Sequence, residues 1–275
     1  MLFRTNKKFQ LAAAAISCLL SVQIVNADAT LHFKSGLGQT KETHNVIYIK
    51  DSHINLSQAS ANTGQNYSVF DAAGEKIIHI NPEQKAYMIM DKATVTAQVA
   101  KMKQSIVMMR AQMEERLKTM PPKQQQMMRK MMETQGLGPE SEQPAKPSKK
   151  HIATGKTDTV EGIPCAIIEV HTDNIKSEEL CVAEESKLGL AEIDAQAVVG
   201  MKKFMNFMAK SARNVMPNQS TEEEFNGLPI RTRSYDKEGK LRNEIVLGSI
   251  NTSAIAAEKI TIPADYKQMD TAQMH

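Results

Sequence analysis

The chain has 275 residues, with 34 Lys and Arg against 31 Asp and Glu, 18 Met and no Trp. Its length supports a substantial core, packed largely with aliphatic side chains and flexible thioethers because aromatic residues are scarce. Three cations, Arg4, Lys7 and Lys8, lie in the first 27 residues, which hold no acid; without them the charges balance at 31 against 31, and the case for a nucleic-acid or polybasic-membrane partner falls away.

Those three residues form a basic n-region, Phe9 to Val25 is mostly apolar, and Val25-Asn26-Ala27 supplies the small residues of a cleavage site. Residues 1–27 therefore read as a signal peptide, with a periplasmic or secreted mature domain. No transmembrane span is expected in the mature chain, because Ser17, Ser21 and Gln23 interrupt the apolar stretch and no second one follows. An alternative is a membrane-anchored lipoprotein via Cys18, since Ser17 precedes that cysteine as a lipidation site requires. Leu19, Leu20, Val22 and Ile24 argue against it by continuing the apolar run past Cys18.

Residues 28–275 are expected to form a single α+β domain with a helical insertion at 92–134 and a flexible linker at 135–150. From Ala29 to Met90 short β-like runs alternate with turn signals: Leu31–Phe33, Val46–Lys50, Ile54–Leu56, Tyr67–Phe70, Lys76–Ile80 and Ala86–Met90 predict an antiparallel meander. Asp71-Ala72-Ala73-Gly74 suits a hairpin with Gly at positive φ. Asn81-Pro82-Glu83-Gln84 is a second turn, and Asp236-Lys237-Glu238-Gly239 repeats the first pattern.

The period then becomes helical. Val95, Val99, Met102, Ile106, Met109, Met113 and Leu117 follow one another by threes and fours, a stripe for core packing or for an apolar ligand. Pro121-Pro122 ends this helix and opens another, on which Met127 and Met131, and Met128 and Met132, stack as i,i+4 pairs. Gln135 to Lys150 is rich in Gly, Pro, Ser and charge, the composition of an exposed linker.

Without Cys18 the chain keeps two cysteines, Cys165 and Cys181, in a compartment where thiols oxidise. Pro164–Thr172 and Glu178–Glu184 predict a hairpin. Centred on Asp173, it sets His171 against Ile175, Ile167 against Glu179, and Cys165 opposite Cys181, a pairing that suits a disulfide. A redox or metal role is weaker, because the two are not in Cys-x-x-Cys spacing and no His set lies nearby. Ala191–Asn214 predicts a third helix with Val198, Met201, Phe204 or Met205, Met208 and Ala212 on its apolar face. Gly227–Tyr235, Leu241–Ser249 and Glu258–Ile262 predict the last strands, and Asp265–His275 a poorly ordered tail.

No phosphate loop, nucleophile elbow, zinc helix or calcium loop occurs, so no enzyme and no cofactor is expected. The seven His are dispersed, and His53 and His79 are expected at surface or paired positions. Thioethers are soft donors that suit Cu(I), and Met88, Met90, Met128 and Met131 are the metal alternative. Packing is the stronger account, because these Mets continue patterns that also hold Val, Ile and Leu.

Ile80-Asn81-Pro82-Glu83-Gln84-Lys85-Ala86-Tyr87-Met88, the run from Leu117 to Met132, Val160-Glu161-Gly162-Ile163-Pro164-Cys165, Leu180-Cys181-Val182-Ala183, Gly227-Leu228-Pro229-Ile230 and Ile262-Pro263-Ala264-Asp265-Tyr266 occur in this order. In them the chain resembles an uncharacterised family of secreted bacterial proteins of unknown function, related to the LolA-like lipoprotein carriers. The resemblance implies a curved antiparallel β-sheet, a LolA-like half-barrel, with Met-rich amphipathic helices packed on one face. It implies a concave face that holds acyl chains, and carries over no ligand residue. The expected function is a non-enzymatic periplasmic binding protein for an apolar, lipid-like or lipidated ligand. A Met-rich copper-binding protein and a structural protein that docks on an envelope partner are the alternatives.

Overall fold

A computed structural model describes residues 28–36, 43–59, 66–134, 149–213 and 225–269. The signal segment with Cys18, and positions 135–148 of the expected linker, lie outside the described residues; Lys149 and Lys150 already belong to a strand.

Six strands form the first meander: β1 (Ala29–Ser35), β2 (Thr43–Lys50), β3 (His53–Ala59), β4 (Tyr67–Asp71), β5 (Lys76–Asn81) and β6 (Ala86–Asp91). Two helices follow, α1 (Lys92–Lys118) and α2 (Pro122–Thr134). Next come β7 (Lys149–Val160), β8 (Ile163–Thr172), β9 (Ile175–Ala183), α3 (Glu192–Arg213), β10 (Leu228–Tyr235), β11 (Leu241–Asn251) and the short β12 (Lys267–Gln268). The sum is α+β: one large, curved, open sheet in the order β12-β6-β5-β4-β3-β2-β1-β11-β10-β9-β8-β7, antiparallel except where β12 meets β6. The two meanders join at β1 and β11, so α1 and α2 carry the chain from one side of the sheet to the other.

Turn chemistry sets the hairpins. Asp51-Ser52 and Asp173-Asn174 place both central residues at positive φ, the two-residue turn whose twist matches the strands it joins. The β4–β5 and β5–β6 turns share a different device. Asp71 Oδ1 accepts the Gly74 N–H at 2.9 Å and Asn81 Oδ1 accepts the Gln84 N–H at 3.0 Å. Here the expectation for Gly74 is corrected, since the positive φ falls one residue later, on Glu75 and on Lys85.

Strand alternation builds the core. Leu31, Phe33, Ile49, Ile54, Phe70 and Ile77 face one way and meet Ala197, Val198 and Phe204 of α3. Phe70 and Phe204 lie with ring centroids 5.9 Å apart, and burying each ring is worth about 1.5–3 kcal/mol. The opposite face carries Val69, Ile78 and Ile80, covered by Ile262 and Tyr266 of the C-terminal segment. That segment is tied down by Asn55 Nδ2, which donates to the Lys259 carbonyl, and by Lys50 Nζ, which donates to the Ile255 carbonyl at 3.0 Å. Two expectations are corrected here. Glu258–Ile262 is no strand but surrounds a single 3₁₀ turn, Ala257–Lys259, and Asp265–His275 is no loose tail throughout, because Lys267 and Gln268 pair with Ala86 and Tyr87. Residues 270–275 lie outside the described residues.

Cys165 and Cys181 form the expected disulfide, with Cα atoms 5.2 Å apart. Their register differs from the expectation: Cys181 stands opposite Ile167, Glu169 opposite Glu179, and Thr172 opposite Ile175. The turn is centred between Asp173 and Asn174 and a bulge at Val170/His171 absorbs one residue, so the pairing slips by two. A two-residue slip keeps every side chain on its face, and the two cysteines meet diagonally in the core.

Asp91 caps α1 by accepting the Thr94 N–H at 2.7 Å. Val95 is buried and Val99 half-buried against the core, but the predicted stripe does not continue as a packing face. Met102 and Met109 are each 43% exposed, Ile106 and Met113 half-buried, and only Leu117 is buried again. A 27-residue helix is about 40 Å long, and only its first turns meet the core cluster.

Candidate functional site

A concavity of about 850 Å³ sits where β4 begins, β5 ends and β6 begins. Alternate strand positions put Leu56, Ser68, His79 and Met88 on the face that holds the core, one step further along each strand from the row of Ile54, Phe70, Ile77 and Met90, and Met90 also lines the concavity. The cross-strand row is Leu56, Ser68, His79, Met88. Asn66, Asn81 and Gln84 stand at the strand ends. Met269 closes one side, held by its N–H to the Tyr87 carbonyl at 2.8 Å.

The polar groups are uncharged. His79 Nδ1 lies 2.8 Å from Ser68 Oγ, which orients the ring. Burial lowers its pKa and favours the neutral imidazole. Burial, and then the neighbouring Tyr266, raise the pKa of Tyr67, which keeps the phenol protonated. Among the described residues none of the lining side chains is Asp, Glu, Lys or Arg. An apolar wall with a few neutral donors and acceptors is the composition of a small-molecule site.

Of the residues predicted as metal ligands, Met88 and Met90 line this cavity together. Met128 is half-buried on α2 and is not part of the lining, and the Met131 side chain lies outside the described residues. Among the described residues no group of three or more His, Cys, Asp and Glu is placed to hold a metal ion. The predicted stripe of α1, Val95 to Leu117, contributes nothing to the cavity. Sequence reasoning missed Leu56, Ser68, His79 and Met269. His79 was within reach, because its pairing with Met88 follows from the Asn81–Gln84 turn, whereas Leu56 and Ser68 enter only through the β3–β4 and β4–β5 pairings. Met269 had no signal, since the strand it follows, Lys267–Gln268, is only two residues long.

A second polar concentration is a row across β8 to β11. Glu169, Glu179, Arg233 and Glu244 stand in register, on the same strand faces as Cys165 and Cys181. Lys176 bonds Glu179 at 2.6 Å and Glu169 at 3.0 Å, Arg233 bonds Glu244 at 2.7 Å, and Arg231 pairs with Asp158 at 2.8 Å. For Glu179, burial raises the pKa, but Lys176 and the two arginines outweigh it and hold the carboxylate below its usual range. Each of these charges has an opposite partner, and the row reads as internal structure. No described helix is long and apolar enough to cross a membrane.

No match is found among curated proteins. Among solved structures, an uncharacterised conserved protein from Thermus thermophilus shares 6% identity over 89% of this chain and 90% of its own, with a TM-score of 0.38. PNGF-II shares 7% over 89% of this chain and 31% of its own, with a TM-score of 0.43. A chain of the Pseudomonas aeruginosa MucA/MucB complex shares 8% over 88% of this chain and 58% of its own, with a TM-score of 0.35. None of these likenesses transfers an activity or partner. The model of a domain of unknown function, DUF4412, matches residues 90–266, from the end of β6 through the whole second meander. That span is well over half of the chain, which therefore belongs to the DUF4412 family.

Proposed function

We propose that the protein is a non-enzymatic binding module of the periplasm or cell exterior, holding a lipid-like or lipidated ligand in the cavity at the β3–β6 end of the sheet. The carrying observation is that cavity of about 850 Å³, walled by Leu56, Ala86, Met88 and Met90 and edged by neutral polar groups. It falls within the range of about 300–1,000 Å³ typical of ligand sites. The adaptable thioethers suit chains of variable shape. The Cys165–Cys181 disulfide supports the exported setting. Native mass spectrometry of protein purified from its host is expected to show co-purified lipid, and delipidated protein is expected to take up the uncharged probe N-phenyl-1-naphthylamine. A uniformly empty protein that leaves the probe unbound overturns the reading.

A copper reading gains one observation: Met88 and Met90 share the cavity with His79 and Met269, four soft or borderline donors. Titration with Cu(I) against a competing chelator tests it, and unchanged affinity in Met88→Leu/Met90→Leu removes it. An envelope-protein partner is supported by the exposed Met102, Val107, Met108 and Met109 of α1 and Met127 of α2. Crosslinking from α1 in intact cells is the test. Failure to recover a discrete partner counts against it.

A further inference from the structure

The cavity differs from most lipid-headgroup sites in one respect, the absence of formal charge from its described lining. Two cations stand nearest along the strands. Lys85 follows Gln84 of the rim, but its Nζ is held by Asp265 at 2.8 Å. Lys267 stands in register with Ala86, is exposed, and is not part of the lining. His79 is half-buried with one ring nitrogen engaged by Ser68. A carboxylate or phosphate that entered would leave water and meet no cation among the described lining residues, a cost that grows as the site closes. A hydroxyl, ester or amide would instead meet Asn66, Ser68, His79, Asn81 and Gln84, which offer donors and acceptors of matching strength.

We propose that the ligand is an uncharged amphiphile: an acyl or comparably apolar chain lying against Leu56, Met88 and Met90, with a hydroxyl, ester or amide head among Asn66, Ser68, His79 and Asn81. This rests on the binding-module reading and narrows it to one ligand class. Anionic lipids and free fatty acids are discriminated against by the cavity itself, with no need for a repelling acid.

The test is displacement of N-phenyl-1-naphthylamine from the delipidated mature protein at pH 8, with monooleoylglycerol, oleate and oleoyl lysophosphatidylglycerol compared below their aggregation limits. Monooleoylglycerol is expected to bind at least about tenfold more tightly than the two anions. Met88→Trp fills the cavity and is expected to abolish displacement. Because that change touches a buried side chain, Gln84→Lys at the exposed rim is the second variant. It is expected to strengthen oleate binding several-fold and leave monooleoylglycerol unchanged. Equal affinity for oleate and monooleoylglycerol in the unaltered protein overturns the charge argument and leaves the binding reading standing. Binding undiminished in folded Met88→Trp, or oleate affinity indifferent to Gln84→Lys, overturns the location. If no probe or lipid binds at all, the binding-module reading itself fails.

Discussion

Two buried carboxylates show how position sets the sign of a charge effect. Asp28 is buried, which raises its pKa, but the Lys50 ammonium at 2.8 Å and the Ile255 N–H at 2.6 Å outweigh burial and leave the group below its ordinary value. Asp194, near the start of α3, has the opposite balance. Burial raises its pKa, the Ser52 N–H at 3.1 Å only partly offsets this, and Asp51 and Asp28 add repulsion. A depressed folded pKa contributes stability above the unfolded value and loses it as pH falls; a raised one contributes below the unfolded value and loses it as pH rises. Asp194→Asn, which keeps an acceptor for Ser52, is therefore expected to raise Tm by a few degrees at pH 7 and to make no difference below about pH 3. Asp28→Asn is expected to lower Tm at pH 7, again with the difference vanishing in acid. Thermal melts of both variants across pH 3–8 check the pair, and a shared direction at neutral pH would contradict the assigned environments.

At the scale of elements, two short-range constraints hold the second meander. Gly227 has φ +104°, and a Cβ there would lie 2.4 Å from the Ala183 carbonyl oxygen. Gly227→Ala must therefore shift the start of β10 away from β9, at an expected cost of about 1–3 kcal/mol in urea unfolding. The Cys165–Cys181 bond closes a span of 16 residues, and Cys165→Ala/Cys181→Ala is expected to cost about 3 kcal/mol with the cavity on the far side unaffected. Retained probe binding by that variant, at reduced stability, separates the disulfide's structural role from the site. The hairpin also shows where local reading stops. Its strands and its turn residues are legible, but the bulge at Val170/His171 depends on strands packed to either side.

For the molecule as a whole, the C-terminal segment does two separable jobs. Ile262 and Tyr266 cover the outer cluster of Val69, Ile78 and Ile80, whereas Lys267 and Gln268 pair with β6 and place Met269 in the cavity wall. A chain ending at Tyr266 is expected to keep its sheet, lose only a little stability and bind N-phenyl-1-naphthylamine at least several-fold more weakly. A chain ending at Asn251 is expected to aggregate, because the outer cluster is then bare. Sedimentation and probe titration distinguish the two. The family match begins at Met90, so most of the cavity wall comes from the meander that precedes the matched span.

Much of this was readable along the chain. All six strands of the first meander, the three helices and the two cysteines follow from period, proline and turn chemistry, because each depends on neighbours within a few residues. The continuous stripe from Val95 to Leu117 was equally plain, yet it does not form a continuous buried face, because periodicity shows which residues share a helix face and says nothing of whether a partner lies along all of it. The site is the reverse case. Leu56, His79 and Met88 belong to separate strands and Met269 follows a fourth, and only the ordering β12-β6-β5-β4-β3 puts them around one space. Local patterns determined the elements; the joining of two meanders at β1 and β11, and the return of a two-residue strand to the edge, decided which of their faces close on a cavity.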